Sequence, residues 1–270
     1  MKKLILPLMI LFLAGCGVEE IVQPEYLNAP SNLKAYPGNG TIRLEFLSNN
    51  KEDKFDGFNI YISKSSSLKS QSSLLPVQNP STGGIPTIVK TSKEINPDSS
   101  LFVEINRDNE DKPIENGITY YFICRAHSIR NFKSEPSNET STTPRIESTA
   151  SVVLNTNEGF SFTAFSQSAP FDFIFTVQDV SGKKAFLTGK NNTQIQSKGY
   201  YDDWKKVNKA DTEGYLMSEI PIQVQQGYVI LLKTSSGHYA KIYIESLDLS
   251  SDPAMRFIWA FQQLVGNIDI

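Results

Sequence analysis

Short stretches in which apolar and polar residues alternate recur along the chain from about residue 29 onward. "TIRLEF" sets Ile42, Leu44 and Phe46 on one face, and "FNIYIS" sets Phe58, Ile60 and Ile62 on one face with Tyr61 opposite. "YYFICRA" groups Tyr120, Phe122, Cys124 and Ala126. A period of two sends successive side chains to opposite faces, so these stretches predict half-buried strands of an antiparallel sandwich. "PGNG" (Pro37 to Gly40) and "ENG" (Glu115 to Gly117) supply turn residues between them. Beyond Arg145, "FDFIFTVQDVSGKKAFLTG" predicts a hairpin around Ser181-Gly182, and "GYVILLKTSSGHYAKIYIES" another around Ser236-Gly237. In "MRFIWAFQQ", Phe257, Trp259 and Phe261 share one face, while Ile258 and Ala260 make the other apolar too. That suits a strand with neighbours on both sides. The predicted fold class is all-β: one sandwich over residues 29–144, then a second β-rich, sandwich-like domain over residues 146–270.

The pattern before residue 29 is different. Lys2 and Lys3 precede an apolar run from Leu4 to Leu13, too short to span a bilayer and flanked as a secretory leader is. The run ends in Leu13-Ala14-Gly15-Cys16, which resembles the lipobox of bacterial lipoproteins. The resemblance implies cleavage after a leader of residues 1–15. It also implies diacylglycerol on the Cys16 thiol and an acyl chain such as palmitate on its new amino group. The alternative is an ordinary leader that contains a cysteine. Several acyl chains on one residue give lasting attachment, at about 0.8 kcal/mol per buried methylene. Residues 16–28 are acidic and polar, carry Pro24, and read as a lipidated tether. Gly17 is not the Asp associated with inner-membrane retention, so the expected location is the cell envelope, at the outer membrane.

Charge and cysteine content narrow the partners. The chain has 26 Lys and Arg against 29 Asp and Glu. Removing Lys2 and Lys3 with the leader leaves 24 against 29, a charge of −5. A mildly acidic chain without basic clusters is a poor match for nucleic acid or for anionic lipid surfaces. The membrane is therefore expected as a partner only through the N-terminal lipid. Of the two cysteines, Cys16 belongs to the anchor, so Cys124 has no partner for an intrachain disulfide.

"APSNLKAYPGNGTIRLEF", "FDGFNIYIS", "NGITYYFICRAHS" and "SEPSNETSTTP" occur in that order, and together resemble a fibronectin type III domain from about Ala29 to Pro144. Pro30 and Leu33 match the opening strand, Gly57 and Tyr61 the third strand, and Tyr120 the tyrosine corner. Phe46 stands where the family usually has Trp, and Cys124 where it usually has Val, which makes Cys124 a small core hydrophobe. The segment from Lys64 to Ile114 exceeds the family norm and is rich in Ser and Pro, predicting an extended loop or irregular edge strands. The resemblance is to fibronectin type III lipoproteins of spirochaetes and related diderm bacteria, and implies a spacer or adhesive module.

The last forty residues or so resemble the C-terminal part of the HmuY-like haem-binding lipoproteins, where a "YAK" strand precedes a closing aromatic strand. That family holds iron with side chains such as paired histidines. Here His127 belongs to the first half and His238 to a turn beside Gly237, so Met217 or Met255 would have to supply a second axial ligand. Either methionine also reads as core filling. No Gly-rich phosphate loop, HExxH, GxSxG or CxxC occurs. Asp202 and Asp203 are adjacent and so point in different directions, unlike a glycosidase pair. "DLSSD" lacks the glycine and bidentate glutamate of a calcium loop.

The expected role is therefore non-catalytic, without a cofactor: a surface lipoprotein acting by binding, adhesion or scaffolding, with a protein or glycan partner. The alternative is a haem- or small-ligand-binding lipoprotein working through the C-terminal domain. "GYYDDWKK" clusters Tyr200, Tyr201 and Trp204 beside two acids and two lysines, the composition of a recognition surface. The competing reading is a loop that folds its aromatics back over the sandwich edge.

Overall fold

The computed structural model describes residues 26–71, 73–179 and 182–270. The leader, Lys2, Lys3, Cys16 and Gly17 lie outside the described residues, as does Ser181 of the predicted hairpin turn.

The chain is all-β, and every strand pair is antiparallel. In the first half, β1 (Ser31–Pro37), β2 (Ile42–Leu47) and β5 (Leu101–Ile105) form one sheet in the order β1-β2-β5. A second sheet has the order β4-β3-β6-β7, from β3 (Phe55–Ser63), β4 (Ile88–Val89), β6 (Tyr120–Ser128) and β7 (Thr140–Thr142). The alternation seen in sequence becomes the core between these sheets. Ile42, Leu44 and Phe46 face Phe58, Ile60, Ile62, Phe122, Cys124 and Ala126, all buried. The Phe46 and Phe58 rings meet edge to face at 4.9 Å, a pairing that adds about 0.5–1.5 kcal/mol beyond area burial. Tyr61 on the opposite face of β3 is also buried, packed with Ile123 and Leu68. Leu68 sits on a one-turn 3-10 helix (Leu68–Ser70), so the long Ser-rich segment folds back over the outer face.

The second half builds a larger sandwich. One sheet runs β10-β11-β12-β14, from β10 (Gly159–Phe160), β11 (Phe173–Asp179), β12 (Lys183–Gly189) and β14 (Pro221–Val224). The other contains β13 (Gln194–Tyr200), β15 (Tyr228–Lys233), β16 (Tyr239–Asp248) and β17 (Ala254–Phe261), in that order. β17 pairs with β16 on one side, and with β8 (Ile146–Glu147) and β9 (Val152–Asn155) on the other. It is thus paired along both of its edges. Phe160, Phe162, Phe173, Phe257, Trp259 and Phe261 dominate the space between the sheets. Each aromatic of this size contributes about 1.5–3 kcal/mol by leaving water.

The passage from one half to the other, Thr142 to Arg145, is buried and not an exposed linker. Arg145 N donates to the Gly38 carbonyl at 3.1 Å, and Gly117 N donates to that of Pro144 at 2.8 Å. From the C-terminal half, Asp269 Oδ2 accepts from Thr143 N at 2.9 Å. Gln262 Nε2 donates to the Thr143 carbonyl at 3.1 Å and to that of Asp269 at 2.8 Å. Each half has its own apolar core, and a buried polar junction joins them.

Candidate functional site

Three aromatics were singled out in sequence, and the structure divides them. Tyr200 closes β13 and is 70% exposed, its ring lying against the backbone of Gly227. Gly227 has φ +82°, and a Cβ there would sit 2.5 Å from the tyrosine ring, so only glycine fits. Tyr201 and Trp204 turn inward. Both are half-buried and pack with Val207, Ala210, Val229, Leu231, Tyr239 and Ile270 on the outer face of the β13-β15-β16-β17 sheet. The acids and lysines between them organise the turn. Asp203 Oδ1 accepts from Lys205 N at 2.9 Å and caps a one-turn 3-10 helix (Trp204–Lys206). Asp202 pairs with Lys206 at 2.7 Å; this hydrogen bond holds the exposed carboxyl below its usual range and raises the lysine.

Beneath this loop lies a group that the sequence pattern does not announce. Lys241 is on β16, between Ala240 and Ile242 of the inner core, and its side chain is fully buried on the opposite face. Its Nζ donates to the carbonyl oxygens of Trp204, at 3.0 Å, and Val207, at 2.5 Å. It also lies 4.4 Å from the centroid of the Trp204 ring, a cation–π contact. No carboxylate reaches it among the described residues. Burial first, and the positive charge of Arg145 second, push this amine well below the usual lysine range.

Arg145 anchors the junction and is 2% exposed. Its Nη2 pairs with Glu147 at 2.7 Å, and its Nη1 donates to the Pro37 carbonyl at 2.9 Å. Its Nε is buried without a hydrogen-bond partner. Burial draws this guanidinium down to about 10, against the opposing pull of Glu147 and Asp269. Arg145 forms part of the wall of an open cleft of about 510 Å³ between the two halves. Tyr36, Arg43 and Glu104 line it from the β1-β2-β5 sheet, and Lys205 and Asn208 from the loop after β13. The cleft thus uses the polar end of the aromatic loop and not its rings.

The remaining sequence candidates lie apart from this cleft. Cys124 is buried between the first two sheets, and burial pushes its thiol well up, which leaves it a core residue. His127 is buried on β6, with Nε2 3.0 Å from Asn131 Oδ1 and Nδ1 3.7 Å from Asp56. His238 sits after Gly237, its Nδ1 3.1 Å from the Gln262 carbonyl and its ring 5.2 Å from that of Phe261. Met255 is in the inner core and Met217 is exposed. Asp248 accepts from Ser250 N at 2.9 Å, a local turn. Among the described residues, no group of three or more His, Cys, Asp or Glu is placed to hold a metal. None of their helices is long and apolar enough to cross a membrane.

No protein-family model matches the chain, and no curated protein matches it. Among solved structures, it is similar to an α-L-rhamnosidase from Dictyoglumus thermophilum, with 12% identity, covering 88% of this chain and 25% of that one, at a TM-score of 0.28. It is also similar to a cycloalternan-degrading enzyme from Trueperella pyogenes, with 9% identity, covering 87% and 29%, at a TM-score of 0.26. The chain spans between a quarter and a third of the length of these two enzymes. Likeness at this level assigns neither a fold family nor an activity to the chain.

Proposed function

We propose that this chain is a lipid-anchored protein of the bacterial cell envelope, carried on the outer membrane, that works by binding and not by catalysis. The observation that carries the binding part is the junction cleft. Two sandwiches, each with its own core, are locked by Arg145, Thr143, Gln262 and Asp269, and side chains of both halves line one open cleft. A rigid seam of this kind holds groups from distant parts of the chain in a fixed pattern, so recognition there costs little ordering. The anchor rests on Leu13-Ala14-Gly15-Cys16 and the basic and apolar run before it.

We also read the first half as a fibronectin type III module. Its three- and four-stranded sheets support that reading, as does the Tyr120 hydroxyl, which accepts from Glu115 N at 3.1 Å, five residues upstream.

Photo-cross-linking on intact cells tests the binding role. A photoreactive residue is placed in turn at Leu75, Phe102, Lys205 and Met217, all exposed. A discrete adduct from any of these positions is the expected result, and none from any of them would make the chain a plain spacer. Fractionation of the same cells tests the anchor: the wild type should sediment with outer membrane and Cys16→Ala should not.

A further inference from the structure

We propose that the junction cleft binds a neutral oligosaccharide. This rests on the reading of the chain as a binding protein and adds its site and ligand class.

The lining is charged but balanced. It has four cationic and four carboxylate side chains, and Lys206 is paired in turn with Asp202 just outside the lining, so no strong field of one sign gathers in the cleft. Much of that charge is paired internally: Arg43 with Glu45 at 2.8 Å, and Arg145 with Glu147 at 2.7 Å. What remains is an interleaved set of hydrogen-bond donors on guanidinium, ammonium and amide groups, and acceptors on carboxylates. A hydroxyl is both donor and acceptor, so a polyhydroxylated, uncharged ligand satisfies such a lining without meeting a like charge. An anion or a cation would find its attraction to one group cancelled by the next.

Arg145 holds one wall of the cleft in place. Its Nη1 and Nη2 are both used, while its Nε is buried and unpartnered on a side chain that forms part of the cleft wall. Glu104 and Lys205, one from each half, have no ion-pair partner among the described residues and complete the polar grip. Tyr36 adds a phenol to the lining, beside Glu45. The volume of about 510 Å³ falls within the range of about 300–1,000 Å³ typical of small-molecule sites.

The full chain, purified in detergent, is titrated calorimetrically with maltotetraose, cellotetraose and mannotetraose. A sialylated tetrasaccharide and glycylglycine serve as charged and zwitterionic probes. At least one neutral tetrasaccharide should bind with Kd below about 1 mM and shift the emission of Trp204, the residue just before Lys205. Glu104→Gln and Lys205→Ala, both at exposed positions, should each weaken it about tenfold with an unchanged melting temperature. Three results overturn the proposal: no neutral tetrasaccharide bound at about 10 mM, binding only of the sialylated sugar or the dipeptide, or a neutral sugar bound equally well by both variants. Cross-linked adducts on cells together with any of these leave the binding role standing and remove the cleft or its ligand class.

Discussion

The Lys241 ammonium lies 4.4 Å from the centroid of the Trp204 ring and donates to the Trp204 carbonyl oxygen at 3.0 Å. One residue therefore holds the aromatic loop to the outer face of the C-terminal sheet by its ring and by its backbone. The contact fixes where Lys205 and Asn208 stand in the cleft, although Lys241 itself is sealed off beneath them.

This burial gives stability a particular pH dependence. In the unfolded chain the Lys241 amine keeps its proton up to about 10.5, whereas in the folded chain burial releases it at lower pH. Between those two values the unfolded state binds more protons, so the Lys241 contribution to stability rises with pH across that window, and is lowest where the folded amine is still charged. Melting temperatures of the wild type and Lys241→Met, followed from about pH 7 to about pH 10, should diverge in favour of the wild type as pH rises. Parallel profiles would contradict this.

Truncating the aromatics should separate their roles. Trp204→Ala uncovers Lys241 and part of the outer cluster, and should cost about 2 kcal/mol of stability. Tyr200→Ala removes an exposed ring and should stay within about 0.5 kcal/mol. Urea titrations of the two variants read both numbers, and equal losses would refute the inward placement of Trp204.

Strand positions were legible from alternation because both partners of each pairing declare themselves locally. Ile42, Leu44 and Phe46 are buried as their period of two requires, and the hairpin at Ser236-Gly237 joins β15 to β16. The outer face of β16 was not legible. Tyr239, Lys241 and Tyr243 alternate with core residues on the face away from the inner core, and the loop after Tyr200 and the C-terminal Ile268 and Ile270 cover it. Those covering segments are distant in sequence and show no periodicity of their own. Arg145 and Asp269 escaped notice for a related reason. Arg145 falls between the two expected sandwiches and Asp269 in no alternating stretch, and only folding places both at one buried seam. The aromatic loop announced a cluster, but composition alone does not say which way a ring turns.

The tyrosine of β6 offers a test of the first sandwich. Tyr120 is buried and its hydroxyl accepts from Glu115 N, so Tyr120→Phe leaves that amide unpaired and should cost about 1–3 kcal/mol. A loss below about 0.5 kcal/mol in chemical denaturation would show that the hydroxyl does not tie the turn.

The seam should also couple the halves. Because each core closes within its own half, residues 26–144 and 145–270 should both fold when made separately. The second fragment keeps the Arg145–Glu147 pair but leaves Asp269 and Gln262 without Thr143, and Arg145 without Pro37, and should lose about 2–5 kcal/mol relative to the same half in the full chain. Calorimetry of the two fragments and the whole chain measures this, and an undiminished second fragment would mean that the seam contributes no coupling.

The account depends most on a lipid-bearing Cys16, since that is what carries the cleft to the envelope. Mass spectrometry of the N-terminal peptide of the mature protein, made in a diderm host, reads this directly. The predicted result is a chain that begins at Cys16, with diacylglycerol on its sulfur and an acyl chain on its amino group. A mature chain that begins elsewhere, or an unmodified Cys16, would contradict the account.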